Sequence, residues 1–208
     1  MAHPVIVALV GIDGSGKTTQ AKMLAEWLTT CGVAASHFAN PGGRMFFGRL
    51  AQRLGRADAV DLLGRRGFLA VEALLRWLNI FRAVVSSRLS RRVAVMDRYS
   101  FCQYAMIRVR AHRGERFARA LYSVFPRPDL VCFLAVTPAE AQRRIERRGT
   151  DWESLSYLSA SDAALRSLPE FASFTVVDAD EPSHRVQAAL RKAVGARLAL
   201  TPAGGNQG

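Results

Sequence analysis

The sequence predicts an α/β protein whose strands form a parallel sheet. Five short apolar runs of strand length alternate with longer stretches of helical periodicity. Uninterrupted apolar runs are typical of strands buried on both faces, and strands separated by helices pair in parallel through crossover connections. A glycine-rich motif directly after the first run is the third observation, because such loops join a strand to a helix.

The predicted elements follow in order along the chain. The strands are Val5–Val10, Val33–Phe38, Val93–Met96, Leu130–Val136 and Thr175–Val177. Helical patterns lie near residues 17–30, 44–55, 60–90, 98–110, 114–124, 138–148, 155–166 and 183–199. No linker rich in Pro, Gly or Ser divides them, so we expect a single domain over residues 1–200 and a disordered tail over residues 201–208.

The composition is that of a globular chain without a membrane span. Of the 208 residues, 50% are hydrophobic and 22% are charged. The best candidate for a span, residues 68–85, is interrupted by Glu72, Arg76 and Arg82. The N-terminal apolar run has strand length, so we expect no signal peptide. Three cysteines stand singly, which excludes a disulfide framework and predicts buried thiols in a cytoplasmic protein.

Arginine dominates the charge of the chain. The formal net charge is +12. The segment from Arg76 to Arg119 contains eleven arginines and only two acidic residues, Asp97 and Glu115, so its net charge is +9. Such a field attracts polyanions, which include nucleotides, nucleic acid, acidic lipid and acidic partners. The alternative is that most of these arginines are solvated surface charges. Nucleic acid is the less favoured partner, since no basic stripe with interleaved aromatics is present.

A phosphate-binding loop carries the strongest chemical signal. Residues 11–18 match GxxxxGK[ST] at every constrained position, after a predicted strand and at the start of a helix. The glycines let backbone N–H groups surround a polyphosphate, and the helix presents its positive end. We expect Lys17 to reach the β- and γ-phosphates and Thr18 to bind Mg²⁺, so the predicted ligand is a nucleoside triphosphate with Mg²⁺. The predicted ATP-binding residues are Gly11, Ile12, Asp13, Gly14, Ser15, Gly16, Lys17, Thr18 and Thr19.

A second half of the site is predicted after the third strand, because a phosphate loop alone serves hydrolysis, phosphoryl transfer and switching. Asp97, Arg98 and Tyr99 follow this strand directly. Ligands of open α/β sheets bind beyond the carboxyl ends of strands, so Asp97 and Arg98 lie beside the loop if the two strands are neighbours. Asp97 would then hold Mg²⁺ or its waters, and Arg98 would clamp a second phosphate. The alternative is a helix N-cap with a surface ion pair.

Four arginines follow the predicted fourth strand on one helix. Arg144 stacks over Arg148, and Arg143 over Arg147, before Gly149 ends the helix. An arginine-rich helix that ends in a small flexible loop suits a lid, which closes on the phosphates and excludes water. A solvated basic face is the alternative.

The long helical pattern near residues 60–90 carries a polar stripe. Glu72, Arg76 and Asn79 recur at positions i, i+4 and i+7. The stripe is interpreted either as a wall that hydrogen-bonds a nucleobase or as a solvated face. The apolar stripe beside it, which we expect to face the core, comprises Leu74, Leu78, Phe81 and Val85.

Together these motifs resemble the thymidylate kinase family of nucleoside monophosphate kinases. The resemblance rests on residues 7–28, 40–43, 96–105, 127–149 and 176–179, and above all on GIDGSGKTT, DRY and PDL…RRxxRRG. It implies a P-loop kinase three-layer sandwich, in which helices flank a five-stranded parallel sheet and a short arginine-rich lid is present. It also implies in-line transfer of the γ-phosphoryl group from ATP, with Mg²⁺, to a nucleoside monophosphate, with dTMP as the expected acceptor. A homodimer is implied as well, with the long helix as a contact.

The resemblance also assigns roles to individual residues. It places Asp13 and Asp97 beside Mg²⁺ and the acceptor, and Arg98 on the acceptor phosphate. Arg76 falls where the family uses an arginine against the pyrimidine carbonyl, and Gln103 where it uses a side chain on or near the base. The implied catalytic residues are Lys17, Asp13, Arg98, Arg144 and Arg148. The implied acceptor-binding residues are Asp97, Arg98, Tyr99, Arg76, Gln103 and Glu72, and the implied metal ligands are Thr18 and Asp97.

The sequence departs from the family mostly on the acceptor side. Ala39 and Asn40 replace Arg-Glu before Pro-Gly-Gly, and Glu72 stands where a base-stacking aromatic is expected. Val10 replaces an acidic residue before the loop. These departures keep two alternatives open. One is a P-loop kinase that acts on a different phosphorylated or modified-nucleotide acceptor, and the other is a non-catalytic nucleotide-binding protein.

Overall fold

The computed structural model describes residues 5–40, 59–110, 114–149 and 152–200. The strands in this part of the chain are β1 (Ile6–Val10), β2 (Ala35–Ala39), β3 (Val93–Asp97), β4 (Leu130–Ala135) and β5 (Thr175–Asp178). The helices are α1 (Lys17–Thr30), α2 (Ala59–Ser90), α3 (Ser100–Arg110), α4 (Glu115–Tyr122), α5 (Pro138–Arg148), α6 (Leu155–Arg166) and α7 (Ser183–Arg197), with a 3₁₀ turn at Pro169–Ser173.

The strands form one parallel sheet in the order β2-β3-β1-β4-β5. The central strand β1 and its neighbour β3 are buried along their whole length, as their uninterrupted apolar sequences predict. The register pairs Leu9 with Asp97, so the carboxyl ends of β1 and β3 lie side by side. The predicted fold class is confirmed. Because these two strand ends are neighbours, the segment after β1 and the segment after β3 begin side by side at one edge of the sheet.

The element boundaries in the described residues agree with the sequence-based prediction to within about two residues, and β2 begins at Ala35 instead of Val33. The pattern near residues 98–110 forms a helix only from Ser100, because Arg98 has a φ of 74° and interrupts helical geometry. The helix predicted near residues 44–55 and the tail over residues 201–208 lie outside the described residues. No described helix has both the length and the apolar character that crossing a bilayer requires.

The apolar stripe of α2 does not face the core, which corrects the sequence-based expectation. Its four members are between 36% and 54% exposed. The helix instead buries Ile80, Ala83 and Val84, which belong to a different face. Apolar residues occupy both faces of this helix, and periodicity alone does not tell which of them packs on the sheet. The exposed stripe consists of Leu74, Leu78, Phe81 and Val85.

Candidate active site

The phosphate loop lies between β1 and α1, and its shape depends on glycine. Gly14 and Gly16 have φ values of 83° and 87°, in the left-handed region that glycine adopts without strain. A Cβ atom on Gly14 would lie 2.4 Å from the carbonyl oxygen of Ala141, a residue of α5. The loop therefore packs directly against the helix that carries the predicted lid arginines.

Lys17 is the buried cation of the loop. Its Nζ donates hydrogen bonds to the carbonyl oxygen of Ile12 at 2.5 Å and to Ser15 Oγ at 3.2 Å. Asp13 Oδ1 lies 4.0 Å from the same nitrogen. Burial lowers the pKa of Lys17, and the charge of Arg98 lowers it further, against the opposing effect of Asp13. The ammonium group thus lies against the loop itself.

The pairing of β1 with β3 brings Asp97 to the start of α1. The Thr18 hydroxyl donates a hydrogen bond to Asp97 Oδ2. Asp97 is buried, and its Oδ1 has no hydrogen-bond partner among the described residues. Hydroxyl and carboxylate oxygens are the ligands that Mg²⁺ takes beside substrate phosphates. The residues present therefore fit a magnesium ion, and Thr18 and Asp97 would hold it.

Arg98 and Asp13 form an ion pair at the loop. Burial raises the pKa of Asp13, but the charges of Arg98 and Lys17 outweigh burial and hold this pKa well below its usual range. Burial lowers the pKa of Arg98, but Asp13 outweighs it, so the net pKa lies above the usual value. The predicted proximity of Asp97 and Arg98 to the phosphate loop is thus observed, whereas their chemical roles stay predictions.

The polar stripe of α2 faces inward. Glu72 is 3% exposed, and it accepts a hydrogen bond of 2.9 Å from Arg76 Nη2. Arg76 Nη1 lies 3.4 Å from the carbonyl oxygen of Asn40, which directly follows β2. Asn79 Nδ2 lies 3.4 Å from the side-chain oxygen of the same asparagine. The stripe therefore joins α2 to the end of β2, and the alternative of a solvated face is wrong.

Tyr99 and Gln103 are both buried, and they differ in how their side-chain oxygens are paired. The Tyr99 hydroxyl donates a hydrogen bond of 2.6 Å to the carbonyl oxygen of Pro126, and burial raises the pKa of this phenol. Four buried polar atoms of predicted acceptor-binding residues lack hydrogen-bond partners among the described residues: Glu72 Oε2, Arg76 Nε, Asp97 Oδ1 and Gln103 Oε1. Buried polar atoms are normally paired, so these four atoms are available to a ligand.

The predicted lid arginines have different surroundings. Arg144 donates hydrogen bonds of 2.9 Å to Glu140 and to the carbonyl oxygen of Ala179, which follows β5. Its guanidinium is therefore engaged on the β5 side of α5. Arg148 is exposed in the last turn of α5, and Gly149, with a φ of 66°, ends the helix. The structure thus gives Arg144 partners on its own helix and after β5, and it leaves Arg148 on the surface.

Two residues that contact the predicted site had no predicted role in it. One is Asn40, which the sequence marks only as a departure from the family pattern and whose carbonyl oxygen lies 3.4 Å from Arg76 Nη1. The other is Arg110, whose Nη1 lies 3.7 Å from Glu72 Oε2 and whose Nη2 lies 3.1 Å from the Tyr157 hydroxyl. No local pattern marks Arg110. The only signal is indirect, because a carboxylate in a largely apolar helix needs a cation if it is buried.

The sheet order, the loop between β1 and α1, and the charged residues after β3 define a P-loop kinase. Comparison with known proteins then gives the family. The sequence model of the thymidylate kinase family matches residues 9–190. The chain therefore belongs to the thymidylate kinase family, and it is a nucleoside monophosphate kinase that uses ATP.

Similar proteins include archaeal and bacterial chains. The protein is 30% identical over 202 residues to a probable thymidylate kinase of Archaeoglobus fulgidus, with 94% of this chain and 97% of that protein covered. It is 35% identical over 147 residues to a probable thymidylate kinase of Pyrococcus abyssi, with coverage of 69% and 70%. A thymidylate kinase of Xanthomonas campestris is 29% identical over 206 residues, with coverage of 93% and 86%.

Proposed function

We propose that this protein is a thymidylate kinase, which transfers the γ-phosphoryl group of ATP to dTMP and yields ADP and dTDP. Family membership supports the reaction class. The observation that carries the proposal is the pairing of β1 with β3, because it brings Asp97 and Arg98 against a phosphate loop. A triphosphate on the loop would then lie next to Arg98, which can bind a second phosphate.

We infer that the loop and Lys17 bind the donor phosphates. Backbone N–H groups and the N-terminus of α1 favour anions, and Lys17 would exchange its contacts with Ile12 and Ser15 for phosphate oxygens. Its charge would offset the charge that spreads over the transferring group in the transition state. The acceptor phosphate is already ionised, so the reaction needs no strong general base.

We infer further that Arg98 binds the acceptor phosphate. The guanidinium already lies beside the loop on Asp13, and its planar fork suits a phosphate. Arg76 would donate to a carbonyl oxygen of the pyrimidine. Gln103 would act on or near the base through Oε1, which has no hydrogen-bond partner within the described part of the chain. Thr18 and Asp97 would hold Mg²⁺, which neutralises phosphate charge when it is bound.

The lid is proposed to supply further positive charge. Arg148 lies at the exposed end of α5 and would approach the phosphates when the segment after it closes. Arg144 would have to exchange Glu140 and Ala179 for phosphate oxygens to join it. Closure would exclude water, which separates phosphoryl transfer to a nucleotide from hydrolysis.

We propose a homodimer that is formed through α2. Its exposed apolar stripe continues at Leu89, which is 82% exposed. The stripe also meets α4, because Trp77 stacks on Phe81 at 5.5 Å and its Nε1 donates to the carbonyl oxygen of Leu121 at 3.1 Å. On α4, Phe117 is 75% exposed. Contiguous apolar surface of this kind is typical of an interface with another protein.

The dimer is tested by sedimentation of the wild-type protein and of Leu78→Glu. The charge is expected to give a folded monomer, while Leu155→Glu, on the exposed surface of α6, is the matched control and should leave the mass unchanged. A wild-type protein that sediments as a monomer at all concentrations would exclude the dimer.

We also propose that residues 1–200 form one domain and that the protein acts in the cytoplasm, where its three cysteines remain free thiols. Of these, Cys132 is buried, Cys102 is half-buried and Cys31 is exposed, so the expectation that all three thiols are buried is wrong.

A second candidate function is a kinase of the same fold with a different phosphorylated acceptor. One observation favours it, which is the buried charge of Glu72 where the resemblance implies an aromatic on the base. The alternatives are separated by measuring ADP release from Mg·ATP with dTMP, dUMP, UMP, CMP, dCMP, AMP or GMP as acceptor. Turnover concentrated on dTMP is expected. Turnover concentrated on another nucleotide would reject thymidylate as the substrate, and activity on none would reject all seven.

A further inference from the structure

Glu72 lies between two guanidinium groups from different helices. Its Oε1 accepts a hydrogen bond of 2.9 Å from Arg76 Nη2, and its Oε2 lies 3.7 Å from Arg110 Nη1. The residue is 3% exposed. A carboxylate that is buried to this degree is stable only when it is paired. The three side chains therefore form one charged unit, which we call the Glu72 clamp (Arg76, Glu72 and Arg110).

The Glu72 clamp holds Arg76 in place without using all of its donors. One Nη is bound to Glu72, and the other lies at the longer distance of 3.4 Å from the Asn40 carbonyl oxygen. Arg76 Nε is buried and has no hydrogen-bond partner among the described residues. The guanidinium also acts on the phosphate loop, since its charge contributes to lowering the pKa of Asp13. The guanidinium is therefore fixed in position, and its Nε can donate a hydrogen bond to an oxygen atom of a ligand.

We infer that Glu72 is a positioning residue, which orients Arg76 so that it selects an acceptor with a carbonyl oxygen over one with an amino group. The inference rests on the proposed function, because it concerns the acceptor of that same site. A buried donor that meets an amino group is left unpaired, and such a mismatch costs much more than a lost methyl group. Thymine offers an oxygen at the position where cytosine carries an amino group, so dTMP is accepted and dCMP is rejected.

Arg110 makes the clamp sensitive to the charge of Glu72. The guanidinium of Arg110 is held by the Tyr157 hydroxyl at 3.1 Å and lies 5.2 Å from the centre of the Tyr157 ring. It therefore stays near Arg76 when Glu72 is neutralised. Two guanidiniums that lose their shared carboxylate repel each other, and Arg76 is then no longer held in the orientation that binds the base.

The test compares Glu72→Gln with Glu115→Gln as a matched control. Glu115 also lies between two arginines, Arg108 at 2.7 Å and Arg119 at 2.8 Å, but it belongs to α4 outside the proposed acceptor site. For Glu72→Gln we expect KM for dTMP to rise about tenfold to a hundredfold, with KM for ATP within about twofold of wild type. The ratio of kcat/KM for dTMP over dCMP should fall with it. Glu115→Gln should change neither KM, and thermal melting checks that both variants are folded.

A double variant separates positioning from a general packing role. If Glu72 acts through Arg76, then Glu72→Gln combined with Arg76→Ala should match Arg76→Ala alone in KM for dTMP. Additive effects, equal rises in both KM values, or an unchanged preference for dTMP over dCMP would overturn the inference. Wild-type protein that fails to phosphorylate dTMP would instead reject the proposed function, and a wild-type preference for dCMP would reject both.

Discussion

The donor half and the acceptor half of the site are built in different ways. The donor half consists of consecutive residues, 11–18, whose backbone forms a loop between one strand and one helix. The acceptor half collects side chains from α2, from α3 and from the end of β2, which only the tertiary fold brings together. Triphosphate binding thus depends on backbone geometry, whereas acceptor recognition depends on side-chain identity and can change while the loop stays the same.

The two halves also differ in how well their polar groups are satisfied. Lys17 and Thr18 of the donor half already have partners within the protein. In the acceptor half, Arg76 Nε and Gln103 Oε1 have none among the described residues. We therefore expect substitutions in the donor half to act on the chemical step, and substitutions in the acceptor half to act on KM for the acceptor.

The largest effect is expected at Lys17. Lys17→Met removes the cation that offsets charge on the transferring phosphoryl group, so kcat should fall by about 10²- to 10³-fold. Single-turnover kinetics with saturating ATP and dTMP measures this step directly. Lys22→Met, on the same helix and outside the loop, is the control and should retain wild-type kcat. A change confined to KM for dTMP would erase the distinction between the two halves.

Arg98 lies at the boundary of the two halves, so its substitution tests to which half it belongs. Arg98→Ala should lower kcat/KM for dTMP by about a hundredfold, because a charge-assisted contact with the acceptor phosphate is lost. ATP affinity, measured by calorimetry without acceptor, should stay near the wild-type value. Arg88→Ala, at an exposed position of α2, serves as the control. Parallel losses of ATP and dTMP binding would assign Arg98 to the donor half.

Gln103 tests the acceptor half alone. Gln103→Ala removes a buried oxygen that has no hydrogen-bond partner among the described residues. We therefore expect a rise of about tenfold in KM for dTMP and a loss of stability no larger than the vacated side-chain volume accounts for. Steady-state kinetics and thermal melting measure the two quantities on the same preparation. A loss of stability with unchanged KM would show that Gln103 has a packing role only.

The smallest effect is expected from the titration of Asp13. Its folded-state pKa lies below the ordinary value of 3.8, chiefly through Arg98 and Lys17, which outweigh the opposing effect of burial. The charged form therefore stabilises the folded state fully above pH 3.8, and this contribution is lost as pH falls below that value towards the folded-state pKa. Unfolding free energies of wild type and Asp13→Asn should converge as the pH is lowered through this range. A constant difference would show that the ion pair with Arg98 does not stabilise the fold.

The fold and the donor half could be predicted from the sequence because their signals are local. Five apolar runs predicted the strands, and the motif GxxxxGK[ST] predicted the loop. The motif is informative because positions such as Gly14 have a backbone conformation that few other residues adopt. Asp97 and Arg98 could be placed at the same edge because parallel strands share the direction of their carboxyl ends. The strands, the loop and the placement of Asp97 and Arg98 do not depend on which side chains meet across the molecule.

Only the tertiary structure decided the orientation of α2 and the partners of its charges. Its sequence carries apolar residues on two faces, and the fold buries Ile80 and Ala83 while it leaves Leu78 exposed. The burial of Glu72 and its pairing with Arg110 depend on how α2 packs beside α3. The physical reason is that hydrophobic periodicity describes one helix at a time, whereas burial and charge pairing are properties of the contact between two elements.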